Sequence, residues 1–256
     1  MLSASNKIIR EIKASSTDAL DLSSFSSFIN SFPLQGEEIF KVLFESHADL
    51  IQTQKEKFAV VNLEKILTAT FEISSVSGFE KMSLRDLSKL TGMSMGAIYS
   101  CISKKEDIAL MVAHAVRLSS ELTQEYAMQS KSIWSQIEQS IRFHLYASSV
   151  LQPWYFFLYF ETRSLPESQQ LESKQIELDA INSFTAKIED GVTNKEFFTD
   201  DPSMVANMIV VMLEDWYLKP WKNHSTSRKR QTIKQQEIRI NNYYQALISM
   251  LRKILT

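Results

Sequence analysis

The stretch SLRDLSKLTGMSMGAIYSCISKKEDI, residues 83–108, decides the fold. The chain has only five glycines, and Gly92 and Gly96 both fall here. Ser83 precedes Asp86 by three residues, the spacing of reciprocal capping, and predicts a short helix with Leu84 and Leu87 turned inward. Thr91 and Gly92 end that helix, with glycine where a tight turn needs a positive φ. Ser94 then caps a third helix, on which Ile98, Cys101 and Ile102 share one apolar face. The opposite side carries Met95, Gly96, Tyr99 and Ser100, a small and partly polar surface with one phenol. At Gly96 the missing side chain admits close approach of a backbone. Ser103 and Glu106 have capping-box spacing and predict a fourth helix with Lys104 and Lys105 in its first turn. Cations are disfavoured at that end of a helix dipole. The lysines are therefore either solvated surface residues or partners for a phosphate. Helix, glycine turn and helix together make a helix-turn-helix unit, and the exposed side of its second helix suits a major groove.

Upstream, Leu63, Ile66, Leu67, Thr70 and Ile73 recur at helical spacing and predict one buried face. Gly78 is expected to close that helix as a left-handed cap, with Phe79 folding back on it. A DNA-binding domain over residues 55–112 follows. Residues 1–54 read as a partly helical extension that packs on the body or on a partner. It includes a short amphipathic piece, Lys7 to Lys13, a serine-rich segment, and a helix over 36–56 that crowds Ile39, Phe40, Val42, Leu43 and Phe44 together.

The 256-residue chain is 44% hydrophobic, poor in Gly and Pro, and shows no alternating strand pattern, which favours an all-α fold. A net charge of −2 means that any nucleic-acid contact rests on local positive charge. The single cysteine, Cys101, fits a reducing compartment and leaves a small core residue or a redox switch as its roles. The apolar runs WYFFLYF and MVANMIVVML fall short of the ~20 residues that span a bilayer, and the amino terminus lacks a signal-peptide pattern. A cytoplasmic protein with no membrane partner is expected. His47, His114, His144 and His224 are not spaced as metal ligands, so no metal and no cofactor is expected. No phosphate loop or Gly-x-Ser-x-Gly appears, and the chain does not read as an enzyme. The basic run Ser227–Lys234 reads as a loop and helix start.

Residues 113–256 form a larger helical half, with breaks expected at Pro153, Pro166, Gly191, Pro202 and Pro220. The stretch PWYFFLYFETRSLPE holds more aromatics than one helix face accommodates. Trp154, Phe157, Tyr159 and Phe160 are candidate lining for a ligand cavity, with Glu161 and Arg163 to orient a polar end. Glu214 and Asp215 interrupt an apolar helix beside Trp216, and all three are candidates for the same site. Ile240, Tyr244, Leu247, Leu251 and Ile254 repeat by fours and threes, as on a helix packed along another, within or between chains.

The run KILTATFEISSVSGFEKMSLRDLSKLTGMSMGAIYSCISKKEDI resembles the DNA-binding domain of TetR/AcrR-family transcriptional regulators. The resemblance covers roughly residues 60–112, about a fifth of the chain. Gly78-Phe79, Ser83, Gly92, Met93, Ser94, Gly96, Ile98, Tyr99, Lys105 and Glu106 match the family pattern. Ser74, Ser88, Thr91, Cys101 and Ile102 depart from its usual residues. The resemblance implies that Ser83, Ser94, Met95, Gly96, Tyr99 and Lys105 face double-stranded DNA, with Tyr99 and Lys105 on phosphates. It implies a three-helix DNA-binding domain followed by a ligand-binding and dimerisation domain. It also implies a homodimer joined through the last two helices, which carry Met208, Met212, Ile240, Tyr244, Leu247 and Leu251. The expected function is a ligand-responsive regulator, a repressor released from its operator by a small hydrophobic effector of the acyl-CoA or fatty-acid kind. The rival is a helical protein-interaction module with a vestigial helix-turn-helix.

Overall fold

The computed structural model describes residues 20–53, 55–223 and 232–256. The Lys7 to Lys13 piece, His224 and most of the Ser227–Lys234 run lie outside these residues. Every regular element described is helical. In chain order they are α1 (Phe25–Ser31), α2 (Gly36–Ser46), α3 (Glu56–Ser77), α4 (Leu84–Thr91), α5 (Met95–Tyr99), α6 (Glu106–Met128), α7 (Ile133–Val150) and α8 (Gln152–Glu161). These are followed by α9 (Glu167–Thr193), α10 (Pro202–Leu218), the single turn α11 (Pro220–Asn223) and α12 (Ile233–Leu255).

The chain divides into two units. The first holds residues 33–118 and 153–174; the second holds the described residues 20–32 with 119–152 and 175–256. The boundary expected at residue 112 falls inside α6, and the aromatic segment expected in the larger half belongs to the first unit.

In the first unit α3 is the central rod. Ala59, Val60, Leu63, Ile66, Leu67, Ala69, Thr70 and Ser74 are its buried side, and α2, α4 and α5 pack on it. The α2 helix is shorter than the sequence suggests. It stops at Ser46, where the backbone amides of Leu50 and Ile51 turn back onto the His47 carbonyl at 2.9 and 3.1 Å. The extra apolar residues of α8 are explained here as core. Trp154 meets Phe40 and Phe71 at ring separations of 6.1 and 5.2 Å, and Phe157 meets Phe71 and Phe79 at 5.8 and 5.0 Å. Such tilted aromatic pairs contribute beyond the area they bury.

In the second unit α7 packs against α1, α10 and α12, and α1 also packs on α12. Phe28 of α1 sits between Phe143 and Tyr146 of α7, with centroids 5.3 and 5.4 Å away. Gly191 does not break α9, which continues to Thr193. Its place is fixed by packing: a Cβ there would lie 2.1 Å from the Phe197 ring. The turn comes at Lys195, the one described non-glycine residue with a positive φ, 61°.

Histidine spacing in the sequence suggests no pairing, yet the fold brings His47 against His114, with Nε2 and Nδ1 3.1 Å apart. Burial, then the neighbouring His47 and Arg117, press His114 down to a pKa of about 4. Burial alone presses His144 down to about 4 as well. Glu214 goes the other way, pushed up to about 7 by burial and then by Glu177. The unfolded chain accepts protons on these histidines that the folded chain refuses. Their contribution is complete above pH 6.5 and is lost as the pH falls toward 4. The Glu214 penalty is present at neutral pH and is relieved as the pH falls from 7 toward 4.5. His47 is pressed down by burial as well, so three histidine shifts oppose the one at Glu214, and acidification destabilises the fold between neutrality and pH ~5. Urea unfolding across that range checks this: the wild type should weaken with acid, while a His47→Gln, His114→Gln, His144→Gln chain should not.

Candidate nucleic-acid interface

The helix-turn-helix is built from caps. Ser83 Oγ accepts the Asp86 amide at 3.3 Å while Asp86 Oδ2 accepts the Ser83 amide at 2.9 Å, the reciprocal box that the spacing suggests. Those hydrogen bonds hold the exposed Asp86 carboxyl below its ordinary pKa. Gly92 is left-handed, φ 69° and ψ 9°, as the turn requires. Ser88 and Thr91, two of the departures from the family pattern, fasten this turn. Ser88 Oγ donates to the Met93 carbonyl at 2.7 Å; Thr91 Oγ1 donates to the Leu87 carbonyl at 2.6 Å and accepts the Met93 amide at 3.2 Å.

Ser94 caps α5, accepting the Ala97 amide at 3.2 Å. Ile98, Cys101 and Ile102 are completely buried, whereas Tyr99 is 46% exposed. Ser83, Ser94 and Gly96 are exposed too, and Met95 is half-buried. An added Cβ at Gly96 would meet only Ser94 Oγ, at 3.9 Å, so the space above this glycine is open. The third helix thus shows solvent the surface that its sequence pattern suggests.

Three other sequence expectations change. Ser100 is half-buried and turned to the chain: its hydroxyl donates to the Ala97 carbonyl at 2.7 Å and pairs with Thr53 Oγ1 at 2.9 Å. The start of α6 is capped by Asp107, not by a Ser103 and Glu106 box. Asp107 Oδ2 accepts the amides of Ser103 and Lys104 at 2.8 and 3.0 Å. Asp107 is buried, and the two amides give its carboxylate the partners that burial demands. Lys105 is also committed inside the fold. Its ammonium donates to the carbonyls of Glu80 at 2.7 Å and of Phe79 and Met82 at 3.3 Å, and lies 5.3 Å from the Phe79 ring centre. An ammonium has three donors and all three are directed at the loop after α3. Lys104 is exposed.

Gly78, which opens that loop, has φ 82° but ψ 147°, an extended glycine conformation and not a left-handed helical cap. The next amide, of Phe79, is taken by Glu161 Oε2 at 2.7 Å, so Glu161 holds the loop. Trp154 and Phe157 are core. Tyr159 is exposed, Phe160 stacks at 4.5 Å on Phe156, and Arg163 is exposed. Asp215 is paired with Lys219 and Lys222 at 2.7 and 2.8 Å. Of the nine ligand candidates, Trp216 lines a cleft of about 230 Å³ in the second unit, together with Ser149, Gln152, Gln236, Arg239 and Ile240. Arg239 gives no sequence signal, because what singles it out is a lack of partners, and spacing does not reveal that.

The dimer candidates divide. Ile240, Tyr244, Leu247 and Leu251 are buried within the chain, where α12 packs on α1 and α7, and are not available to a second copy. The reason is α1, a helix of the extension that covers part of α12. Met212 is half-buried, and Met208 is exposed in a row with Met204 and Val211 on α10.

Lys105→Met should therefore destabilise the chain by about 1–2 kcal/mol, since charged hydrogen bonds to the loop carbonyls are lost. Lys104→Met should stay within about 0.5 kcal/mol of wild type. Thermal unfolding of the two variants checks this; equal effects would contradict the assignment of Lys105 to the loop.

No protein-family model matches the chain, and no curated protein sequence does. Solved structures do. A TetR-family regulatory protein from Rhodococcus RHA1 is 18% identical, with a TM-score of 0.59, over 74% of this chain and 96% of its own. The MbdR regulator from Azoarcus sp. CIB gives the same identity, score and coverage. The transcriptional regulator FadR from Bacillus subtilis, in complex with stearoyl-CoA, is 16% identical with a TM-score of 0.55, over 73% of this chain and 97% of its own. The chain spans nearly the whole length of these proteins and adds about a quarter of its own residues to it. At such identities the likeness is one of fold: the chain carries the all-α fold of the TetR/AcrR-family transcriptional regulators.

Proposed function

We propose that this protein is a sequence-specific DNA-binding transcriptional regulator, a repressor, that acts as a homodimer and is released from its operator by a small molecule. The observation that carries this is the α5 surface: Ile98 is completely buried while Tyr99, one residue on, is 46% exposed beside the open Gly96. A short helix with its apolar side committed and a bare, hydroxyl-bearing side outward suits entry into a major groove. Ser83, Ser94, Met95, Gly96, Tyr99 and Lys104 are the contacts we assign. Lys105 supports them by holding the loop after α3.

A dimer follows from charge and from apolar surface. The helix-turn-helix has as many acidic as basic side chains near it, so one copy binds DNA weakly, and two acting together bind usefully. Met204, Met208 and Val211 are 49%, 49% and 53% exposed at i, i+4 and i+7 on α10. This is one continuous apolar face of the kind that a second copy covers. The likeness to a regulator bound to stearoyl-CoA supports an effector with an apolar body. Since α6 contributes residues to both units, it is the route by which effector binding shifts the DNA-binding population.

Selection of binding sites from random duplexes, followed by gel shift, tests this. The wild type should enrich a near-palindromic site. Tyr99→Ala should unfold as the wild type does yet bind that site at least tenfold more weakly. Failure to enrich any sequence at low salt would refute the reading in favour of a protein-interaction module.

A further inference from the structure

The cleft of about 230 Å³ in the second unit is walled by the end of α7, by α10 and by α12. Its walls are fixed by hydrogen bonds. Trp216 Nε1 donates to Ser149 Oγ at 2.9 Å, Ser149 donates to the Leu145 carbonyl at 2.6 Å, and Gln152 Nε2 donates to the Tyr217 carbonyl at 3.2 Å. The Trp216 ring also packs on Tyr243 at 5.1 Å. A pocket held this way loses little freedom when something binds in it.

Among the described residues Arg239 is the one charged residue in the lining, and it is anomalous. Its Nε and Nη1 are buried and have no hydrogen-bond partner. Burial presses its pKa down. Buried guanidinium donors left unmatched are costly, and natural structures keep them where an acceptor arrives from outside. The cleft is also lined by Gln236, Ile240 and Trp216.

We propose that this cleft is a binding site for a small monocarboxylate with an apolar body, whose carboxylate accepts from the unmatched donors of the Arg239 guanidinium. Nε–H and Nη1–H lie on different edges of the guanidinium, so a carboxylate oxygen takes one of these buried donors in a charge-assisted hydrogen bond. One guanidinium balances one negative charge. A phosphate dianion would leave a charge uncompensated in a partly enclosed site. The size sets the body: a dry cavity of about 150 Å³ takes benzene, so this one takes roughly ten non-hydrogen atoms. An acyl-CoA is far too large for it. The proposal rests on the reading of the chain as effector-controlled only for its regulatory meaning; the binding itself is independent of DNA.

Calorimetry on the full chain without DNA tests it, with benzoate, hexanoate and octanoate as probes and benzamide and inorganic phosphate as contrasts. At least one carboxylate should bind, at least tenfold tighter than benzamide or phosphate, and Arg239→Gln should weaken it at least tenfold. Arg239→Met, in the absence of any ligand, should raise the unfolding temperature, because unmatched donors are removed. The proposal is overturned if no carboxylate binds at millimolar concentration, if phosphate competes equally, or if Arg239→Gln binds as the wild type does. It is equally overturned if Arg239→Met lowers the unfolding temperature, which would make Arg239 a structural residue. A carboxylate that binds without altering DNA affinity would leave the site standing and refute its role as the effector site.

Discussion

A helix of five residues has no stability of its own. Nucleation fixes several dihedral angles for one hydrogen bond, and α5 is too short to recover that cost by propagation. It exists because Ile98, Cys101 and Ile102 are completely buried in a core that α3 and α4 already provide. Burying each such side chain contributes about 1.5–3 kcal/mol. That burial also sets the rotation of the helix. With the apolar side pinned, Tyr99 and Gly96 have nowhere to go but out. Cys101 is held by the same packing, and burial raises its thiol pKa, so it behaves as a small core residue and not as a reactive thiol.

The loop after α3 depends on the same logic of satisfying buried groups. Three carbonyls there are bound by Lys105 and one amide by Glu161. Both side chains looked free for other duties in the sequence, a phosphate in one instance and a ligand in the other. The fold uses them to close the turn that places α4 and α5, so they serve recognition indirectly.

What the sequence discloses is what local periodicity and capping encode. The glycine turn at Gly92, the Ser83 box, the Ser94 cap and the buried side of α5 were all legible, because each depends on residues within a few positions of one another. What it conceals is who covers whom. The aromatics of α8 suggested a cavity because the α2 helix that supplies Phe40 to them lies more than a hundred positions away. The repeat on α12 left its partner open, within or between chains, because α1, which packs on it, looked like part of a loose arm. His47 and His114 are paired by the fold alone. Arg239 stands out only when its surroundings are known.

The most direct test of the account is the accessibility of neighbouring positions on α5. In a Cys101→Ser background, cysteines are placed singly at Ile98 and at Tyr99 and challenged with a thiol reagent, with and without the selected DNA site. The account predicts rapid labelling at Tyr99→Cys, protection there when DNA is bound, and no labelling at Ile98→Cys. Rapid labelling at Ile98→Cys, or labelling at Tyr99→Cys that bound DNA leaves unchanged, would contradict it.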